Sequence, residues 1–119
     1  MAKEVFIVDG ARTAIGSFGG SLASKTPIEL ATAVTKEALK RAKIHAEEVD
    51  HVAFGHVINT EPKDMYLSRV SAIHAGIPST VSAMNVNRLC GSGAQAIVSV
   101  AQSLMLDEAS VGVAGGSES

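Results

Sequence analysis

The 119-residue sequence predicts a single α/β domain, with a mostly parallel sheet covered by helices on both faces. Short apolar runs alternate with stretches of helical periodicity in the order βαβαβαβ. Apolar residues make up 46% of the sequence and charged residues only 18%, below the roughly 25% usual for soluble domains. This shortage of charge favours either a compact core or apolar faces that pack against a partner or further sequence.

The first strand is predicted at residues 4–9, an apolar run that Gly10 ends and that is too short for a buried helix. After a glycine-rich segment, three residues mark a helix start as N-cap, N1 proline and capping-box glutamate: Thr26, Pro27 and Glu29. Apolar residues then recur at helical spacing from Leu30 to Ala42, with basic residues near the end, where the helix dipole favours cations.

The second strand is predicted at residues 49–58, which are rich in β-branched side chains. A polar segment follows, and Asp64 is the predicted N-cap of a second helix that continues through Ile73. Gly76 and Pro78 are expected to end this helix.

The third strand is predicted at residues 80–87, and a third helix from Cys90 to about Met105. This helix is apolar nearly all round, which predicts that it is buried rather than amphipathic. Residues 109–116 form the fourth predicted strand, and the chain shows neither an internal repeat nor a linker.

Charge and cysteine content exclude several classes of function. The net charge is −2 and the lysines and arginines are scattered, so neither a nucleic acid nor a membrane surface is an expected partner. A single cysteine and no metal-ligand spacing of Cys and His predict no disulfide and no structural metal. The N-terminal apolar run is too short for a signal peptide, so we expect a cytoplasmic protein.

Cys90 is the candidate nucleophile because it lies just past the third strand, at the start of the third helix. Ligands of open α/β sheets bind at the carboxyl ends of the strands, and a helix N-terminus stabilises a thiolate. Gly91 and Gly93 leave room for a substrate carbonyl and for a backbone N–H that faces an oxyanion. The alternative is a buried structural cysteine whose glycine neighbours only permit close packing.

His56 is the candidate base for that nucleophile, because it lies near the end of the second strand, at the same sheet edge. The alternative, a solvated or hydrogen-bonded structural histidine, is more common at such a position. No role is predicted for the remaining histidines, which are His45, His51 and His74. The glycines at 16–20 lack the Lys-Ser/Thr ending of a phosphate loop and predict a flexible connection.

Three segments resemble the thiolases, the family of acetyl-CoA acetyltransferases and β-ketothiolases. "ARTAIGSFGG" at 11–20 is similar to the family's opening segment, "NRLCGSGAQAI" at 88–97 to its nucleophile motif, and "AGGSES" at 114–119 to its glycine-rich strand end. The intervening "VAFGHVINTEPKDMYLSRVSA" resembles the β-ketothiolase branch, so the resemblance covers essentially the whole chain.

The resemblance implies a thiolase-like N-terminal half in which Cys90 attacks an acyl-CoA thioester and holds the acyl group covalently. It further implies that the acyl group passes to a second thiol or carbon nucleophile, and that the backbone N–H of Cys90 helps to stabilise the oxyanion. Coenzyme A thioesters are then substrates, no bound cofactor is expected, and the protein is a homodimer or homotetramer. The family commonly has Asn where His56 stands, which argues against His56 as the base.

The family's other catalytic parts lie in its C-terminal half: a His in a Gly-His-Pro motif, an Asn-Glu-Ala-Phe segment and a second Cys. These parts, the loop domain that grips coenzyme A and the last strand of the N-terminal sheet are absent from residues 1–119. We therefore expect a partial N-terminal domain that is inactive alone, and the end after the "AGGSES" strand looks like a cut. Alternatives are a non-catalytic assembly half that needs a partner chain, and a decarboxylating condensing enzyme of the same fold.

Overall fold

The computed structural model describes residues 3–119, which contain three strands, three α-helices and two short 3-10 turns. In chain order the elements are α1 (Pro27–Ala42), β1 (His51–Gly55), α2 (Leu67–His74), β2 (Ser82–Val86), α3 (Ser92–Met105) and β3 (Gly112–Gly116). The strands form a parallel sheet in the order β2-β1-β3. Each predicted strand after the first is confirmed, with shorter bounds than the sequence indicated.

The two faces of the sheet carry separate apolar clusters, as alternation along β1 requires. Val52 and Phe54 face the larger cluster, which includes residues of α1 and α2, among them Ile28, Leu39 and Leu67. Ala53 faces the opposite side, where it packs with Ala96 and Val100 of α3. The predicted α/β class, with helices on both faces of a parallel sheet, is therefore confirmed.

The predicted start of α1 is confirmed in atomic detail. The Thr26 hydroxyl accepts a hydrogen bond from the Glu29 amide at 3.1 Å, and the Glu29 carboxylate accepts one from the Thr26 amide at 2.8 Å. The helix ends in Lys43, which adopts the left-handed conformation with φ +57°. These reciprocal bonds satisfy amide groups that a helix start otherwise leaves without partners.

The second helix begins later than its sequence predicts. Residues Pro62–Tyr66 form a 3-10 turn, and α2 starts only at Leu67. Asp64 lies inside that turn, where its carboxylate accepts bonds from the preceding Thr60 and Glu61 and so cannot cap α2. The predicted end is confirmed, because α2 stops at His74 and Gly76 follows with φ +91°.

The predicted first strand at residues 4–9 is wrong for the described part of the chain. These residues belong to no strand, and Phe6, Ile7 and Val8 are 75%, 82% and 65% exposed. A groove of about 1080 Å³ lies between this segment and the edge of β3, with further walls from α1 and α3. Backbone groups form a strand only against a partner strand, and an apolar run does not reveal which partner it needs.

The prediction that α3 is buried all round is also wrong. Ala96 and Val100 face the sheet, whereas Ile97, Val98 and Met105 are 44–48% exposed. Within residues 3–119 only the sheet side of α3 is covered, so its outer apolar residues face solvent. No helix in the described chain is long and apolar enough to cross a bilayer.

Candidate functional site

Cys90 lies in a tight turn that joins β2 to α3. The Ser92 hydroxyl closes this turn, since it accepts a hydrogen bond from the Arg88 amide at 2.8 Å and donates one to the Leu89 carbonyl at 2.6 Å. Leu89 adopts the left-handed conformation, φ +52°, which is uncommon for a side chain of that size. The turn presents the thiol of Cys90 at the surface.

The structure moves the start of α3 relative to its predicted position at Cys90. The helix begins at Ser92 and Gly91 is its N-cap residue, so Cys90 immediately precedes the cap. The reason is the Ser92 side chain, whose two hydrogen bonds hold Arg88 and Leu89 in the turn. Cys90 still adjoins the positive end of the helix dipole, which favours an anion.

Two glycines at the ends of neighbouring strands bring the sheet into direct contact with the first turn of α3. Gly55 of β1 pairs in register with Gly116 of β3. A Cβ atom on Gly55 would lie 2.5 Å from the Ser92 carbonyl carbon and 2.6 Å from the Gly93 nitrogen. A Cβ atom on Gly116 would lie 3.3 Å from the Gly93 Cα. The absence of side chains at both positions therefore sets the position of the helix that follows Cys90.

His56 follows Gly55 directly, and its imidazole is 99% buried. Its Nδ1 atom lies 2.7 Å from the Ser117 carbonyl oxygen, and its Nε2 atom lies 4.0 Å from Oδ2 of Asp64. Glu118 places Oε1 3.6 Å from Nδ1 and also accepts a hydrogen bond from the Val57 amide. The ring is thus engaged with the end of β3 and with the turn at 60–66, and it makes no hydrogen bond to Cys90.

Asp64 is a fully buried carboxylate beside this imidazole. Burial raises the pKa of Asp64, but hydrogen bonds from the Thr60 hydroxyl, the Thr60 amide and the Glu61 amide, with His56 nearby, hold the pKa below its ordinary value. Asn85 of β2 donates to the Asp64 backbone carbonyl at 3.1 Å and accepts from the Ser68 amide at 2.9 Å. This buried network fixes the turn that follows β1.

The carboxyl ends of all three strands therefore meet at one edge, as the parallel sheet predicts. The sequence predicts Cys90 and His56 at this edge, but its pattern indicates a helix cap at Asp64 and no role for Glu118. The sequence feature that could have indicated a role for Asp64 is the polar segment at 59–64, because it directly follows a buried strand at that edge. Within residues 3–119 no group of three or more His, Cys, Asp or Glu residues could hold a metal ion.

The remaining candidates lie away from this edge or form ordinary local structure. His45 and His74 are exposed, and His51 is half-buried at the opposite end of β1. The glycines at 16–20 form a turn in which the Gly20 amide donates to the Ser17 carbonyl at 2.9 Å. This turn does not run into a helix, so it lacks the geometry of a phosphate loop.

The family model for the thiolase N-terminal domain matches residues 5–119, and the chain belongs to the thiolase family. It is 54% identical, over all of its 119 residues, to beta-ketothiolase BktB of Cupriavidus necator, and it covers 30% of that protein. The resemblance read from the three motifs is thereby confirmed.

Solved structures agree with this assignment. The crystal structure of the Bacillus anthracis acetyl-CoA acetyltransferase matches with a TM-score of 0.87 and 43% identity, over 92% of this chain and 28% of that one. The human mitochondrial 3-ketoacyl-CoA thiolase in complex with CoA matches with a TM-score of 0.85 and 38% identity, over 87% of this chain and 26% of that one. The chain thus spans less than a third of the length of these relatives.

Proposed function

We propose that the intact protein carrying this chain is a CoA-dependent acyltransferase that works through an acyl-enzyme on Cys90. The single observation that carries this proposal is the exposed Cys90 thiol beside the N-terminus of α3, in a chain of the thiolase family. The relatives are named for acetyl-CoA acetyltransferase and ketothiolase activity, which supports acyl-CoA thioesters as the substrate class. Either thiolytic cleavage of a 3-ketoacyl-CoA or condensation of two acetyl-CoA molecules follows from the same intermediate.

In the condensation direction, the first chemical step is thioester exchange. The Cys90 thiolate attacks the thioester carbonyl carbon, the C–O π bond becomes an oxyanion, and the tetrahedral intermediate expels the coenzyme A thiolate, which takes up a proton. The backbone N–H of Cys90 is suited to stabilise the oxyanion. Because a sulfur nucleophile replaces a sulfur leaving group, the exchange is close to balanced in free energy.

The second step needs groups that we assign to the rest of the protein. For condensation, the carbon nucleophile of a second acetyl-CoA attacks the acyl-Cys90 carbonyl and the Cys90 thiolate leaves. Cleavage is the reverse: the Cys90 thiolate attacks the 3-keto carbonyl, the C2–C3 bond breaks, and the acetyl-CoA carbanion that leaves takes up a proton. The coenzyme A thiol then attacks the acyl-Cys90 carbonyl and expels the Cys90 thiolate. The resemblance places the required base and a second cysteine in the C-terminal half. His56 does not supply this base, because its ring is buried and engaged with Ser117 and Asp64. Residues 1–119 alone are therefore inactive in this proposal.

The groove between residues 4–9 and β3 supports the proposal that this is a partial N-terminal domain. Its lining includes Phe6, Ile7 and Val8 on one side and the edge of β3 on the other. We propose that the sheet strand that follows the loop domain in thiolases occupies this groove and pairs residues 4–9 with the sheet. An exposed strand edge and three exposed large apolar side chains otherwise favour aggregation.

We further propose, from the same resemblance, that the intact protein is a homodimer or homotetramer. Size-exclusion chromatography with light scattering on the intact protein tests this assembly. A monomer at micromolar concentration would contradict it.

A chimera tests the proposed activity directly. In this BktB chimera, residues 1–119 replace the matching segment of Cupriavidus necator BktB, to which they align over their full length. We expect CoA-dependent cleavage of acetoacetyl-CoA, and we expect the Cys90→Ala variant to lose it. A folded chimera without activity, or an active Cys90→Ala variant, would contradict the proposal. Turnover only with malonyl thioesters would indicate a decarboxylating condensing enzyme instead.

Hydrogen exchange on the same chimera tests the partial domain. Amides of residues 4–9 should exchange slowly in the BktB chimera, because they gain a partner strand, and rapidly in the isolated 119-residue chain. Equal and fast exchange in both proteins would show that the groove receives no strand.

A further inference from the structure

The carboxyl ends of the three strands are joined by hydrogen bonds beyond those between the paired strand residues. The Ser117 amide donates to the Gly55 carbonyl at 3.1 Å, and the His56 amide donates to the Val86 carbonyl at the same distance. These are the last backbone bonds that join β1 to its two neighbours. Beyond them, the side chain of His56 supplies the next link, from its Nδ1 atom to the Ser117 carbonyl oxygen at 2.7 Å.

This link lies one residue beyond the strand ends that contact the helix after Cys90. His56 and Ser117 follow Gly55 and Gly116, the two glycines that contact the first turn of α3. If the two strand ends moved apart, the backbone of Ser92 and Gly93 would lose its support and the Cys90 turn would shift. A displacement of about 1 Å at a reacting group can slow a reaction on the order of a hundredfold.

We propose that His56 is a positioning residue for Cys90, acting through the hydrogen bond that holds the end of β3 against the end of β1. This inference rests on the proposed acyl transfer at Cys90 and adds a residue to it. His56 touches neither the thiol nor the substrate in this role. It positions the turn on which the thiol sits.

The two ring nitrogens of His56 have separable roles. A carbonyl oxygen can only accept, so Nδ1 carries the proton in the bond to Ser117. Nε2 faces the Asp64 carboxylate at 4.0 Å, and Nε2 and Oδ1 of Asp64 are both buried without a hydrogen-bond partner among the described residues. The carboxylates of Asp64 and Glu118 both lie within 4.0 Å of the ring. Positioning depends on Nδ1, whereas Nε2 only faces the turn at 60–66.

Two conservative substitutions of His56 distinguish the role of Nδ1 from that of Nε2. The amide nitrogen of Asn occupies nearly the place of Nδ1 and can donate to the Ser117 carbonyl, whereas Gln extends its amide toward the place of Nε2. Leu fills a similar volume and donates to neither partner. We expect the acylation rate of Cys90 by acetyl-CoA to stay within about threefold in His56→Asn and to fall ten- to a hundredfold in His56→Gln and His56→Leu.

The experiment measures single-turnover acylation in the BktB chimera, together with KM and the apparent Tm. Thr35→Val is the matched stability control, because it removes a buried hydroxyl bond of 2.7 Å to Ala31 in α1, on the other face of the sheet from α3. A positioning role predicts that His56→Leu acylates far more slowly than Thr35→Val even where both lower Tm equally. If His56→Leu fails to fold, the comparison of His56→Asn with His56→Gln decides in the same way.

Two results would overturn the inference. Equal acylation rates in all His56 variants, or equal losses in His56→Asn and His56→Gln, would refute the positioning role while leaving Cys90 as the nucleophile. An unsubstituted chimera that folds but never acylates Cys90 would instead refute the proposed function, and the inference with it.

Discussion

Among glycine-to-alanine substitutions near Cys90, Gly55→Ala should disturb the turn that carries Cys90 the most. The new Cβ would lie 2.5 Å from the Ser92 carbonyl carbon, and ordinary contact begins at 3.4 Å, so α3 must retreat by about 0.9 Å. The opposing atoms are backbone, which cannot rotate away as a side chain can. Overpacking of this kind costs about 1–3 kcal/mol, and a retreat of this size should slow acylation of Cys90 on the order of a hundredfold.

The matched control for this substitution is Gly93→Ala. Gly93 lies in the same helical turn, but a Cβ atom there meets no atom within 4 Å. Alanine in a helix is about 1 kcal/mol more favourable than glycine, so this variant should be at least as stable as the parent. The assay is the apparent Tm of the BktB chimera by scanning calorimetry, with the single-turnover acylation rate measured on the Gly55→Ala sample. A Gly55→Ala protein as stable and as fast as the parent would refute the steric reasoning.

Two further predictions concern the turn at 60–66 and the start of α1. Because the pKa of Asp64 is lowered in the folded chain, its carboxylate stabilises the fold fully above pH ~4, and this contribution is lost as pH falls through the lowered pKa. The difference in Tm between the parent chimera and Asp64→Asn should thus become smaller below about pH 4. A constant difference across about pH 2.5–7 would contradict the claim that the ionised Asp64 carboxylate stabilises the fold. Thr26→Ala should lower the stability of α1 by about 1 kcal/mol, because the Glu29 amide loses its acceptor. Hydrogen exchange of the Glu29 amide should then be faster than in the parent. An unchanged exchange rate would contradict this prediction.

Features set by neighbours in sequence were predictable. The capping box at Thr26 and Glu29 and the stop at Gly76 each depend on a few adjacent residues, and the structure confirms both. The motif around Cys90 was equally local, and it led to the correct family. The start of α3 was misplaced by two residues, because the Ser92 side chain competes with the helix for Arg88 and Leu89.

Features set by residues distant in sequence were not predictable. The bond between His56 and Ser117 joins positions 61 residues apart, and no local pattern distinguishes a histidine that will meet a carbonyl from one that will meet water. Residues 4–9 illustrate the same limit, since their composition is typical of a buried strand but the partner strand decides whether one forms. The exposed side of α3 has the same cause, because a helix is buried only where another element covers it.

The most direct test of the account is intact-mass spectrometry of the BktB chimera after a brief reaction with acetyl-CoA, followed by peptide mapping. We predict a gain of one acetyl group per chain, located on Cys90, that disappears in the Cys90→Ala variant and on addition of coenzyme A. A folded chimera that gains no acetyl group, or that carries it on another residue, would contradict the central claim that Cys90 is the nucleophile.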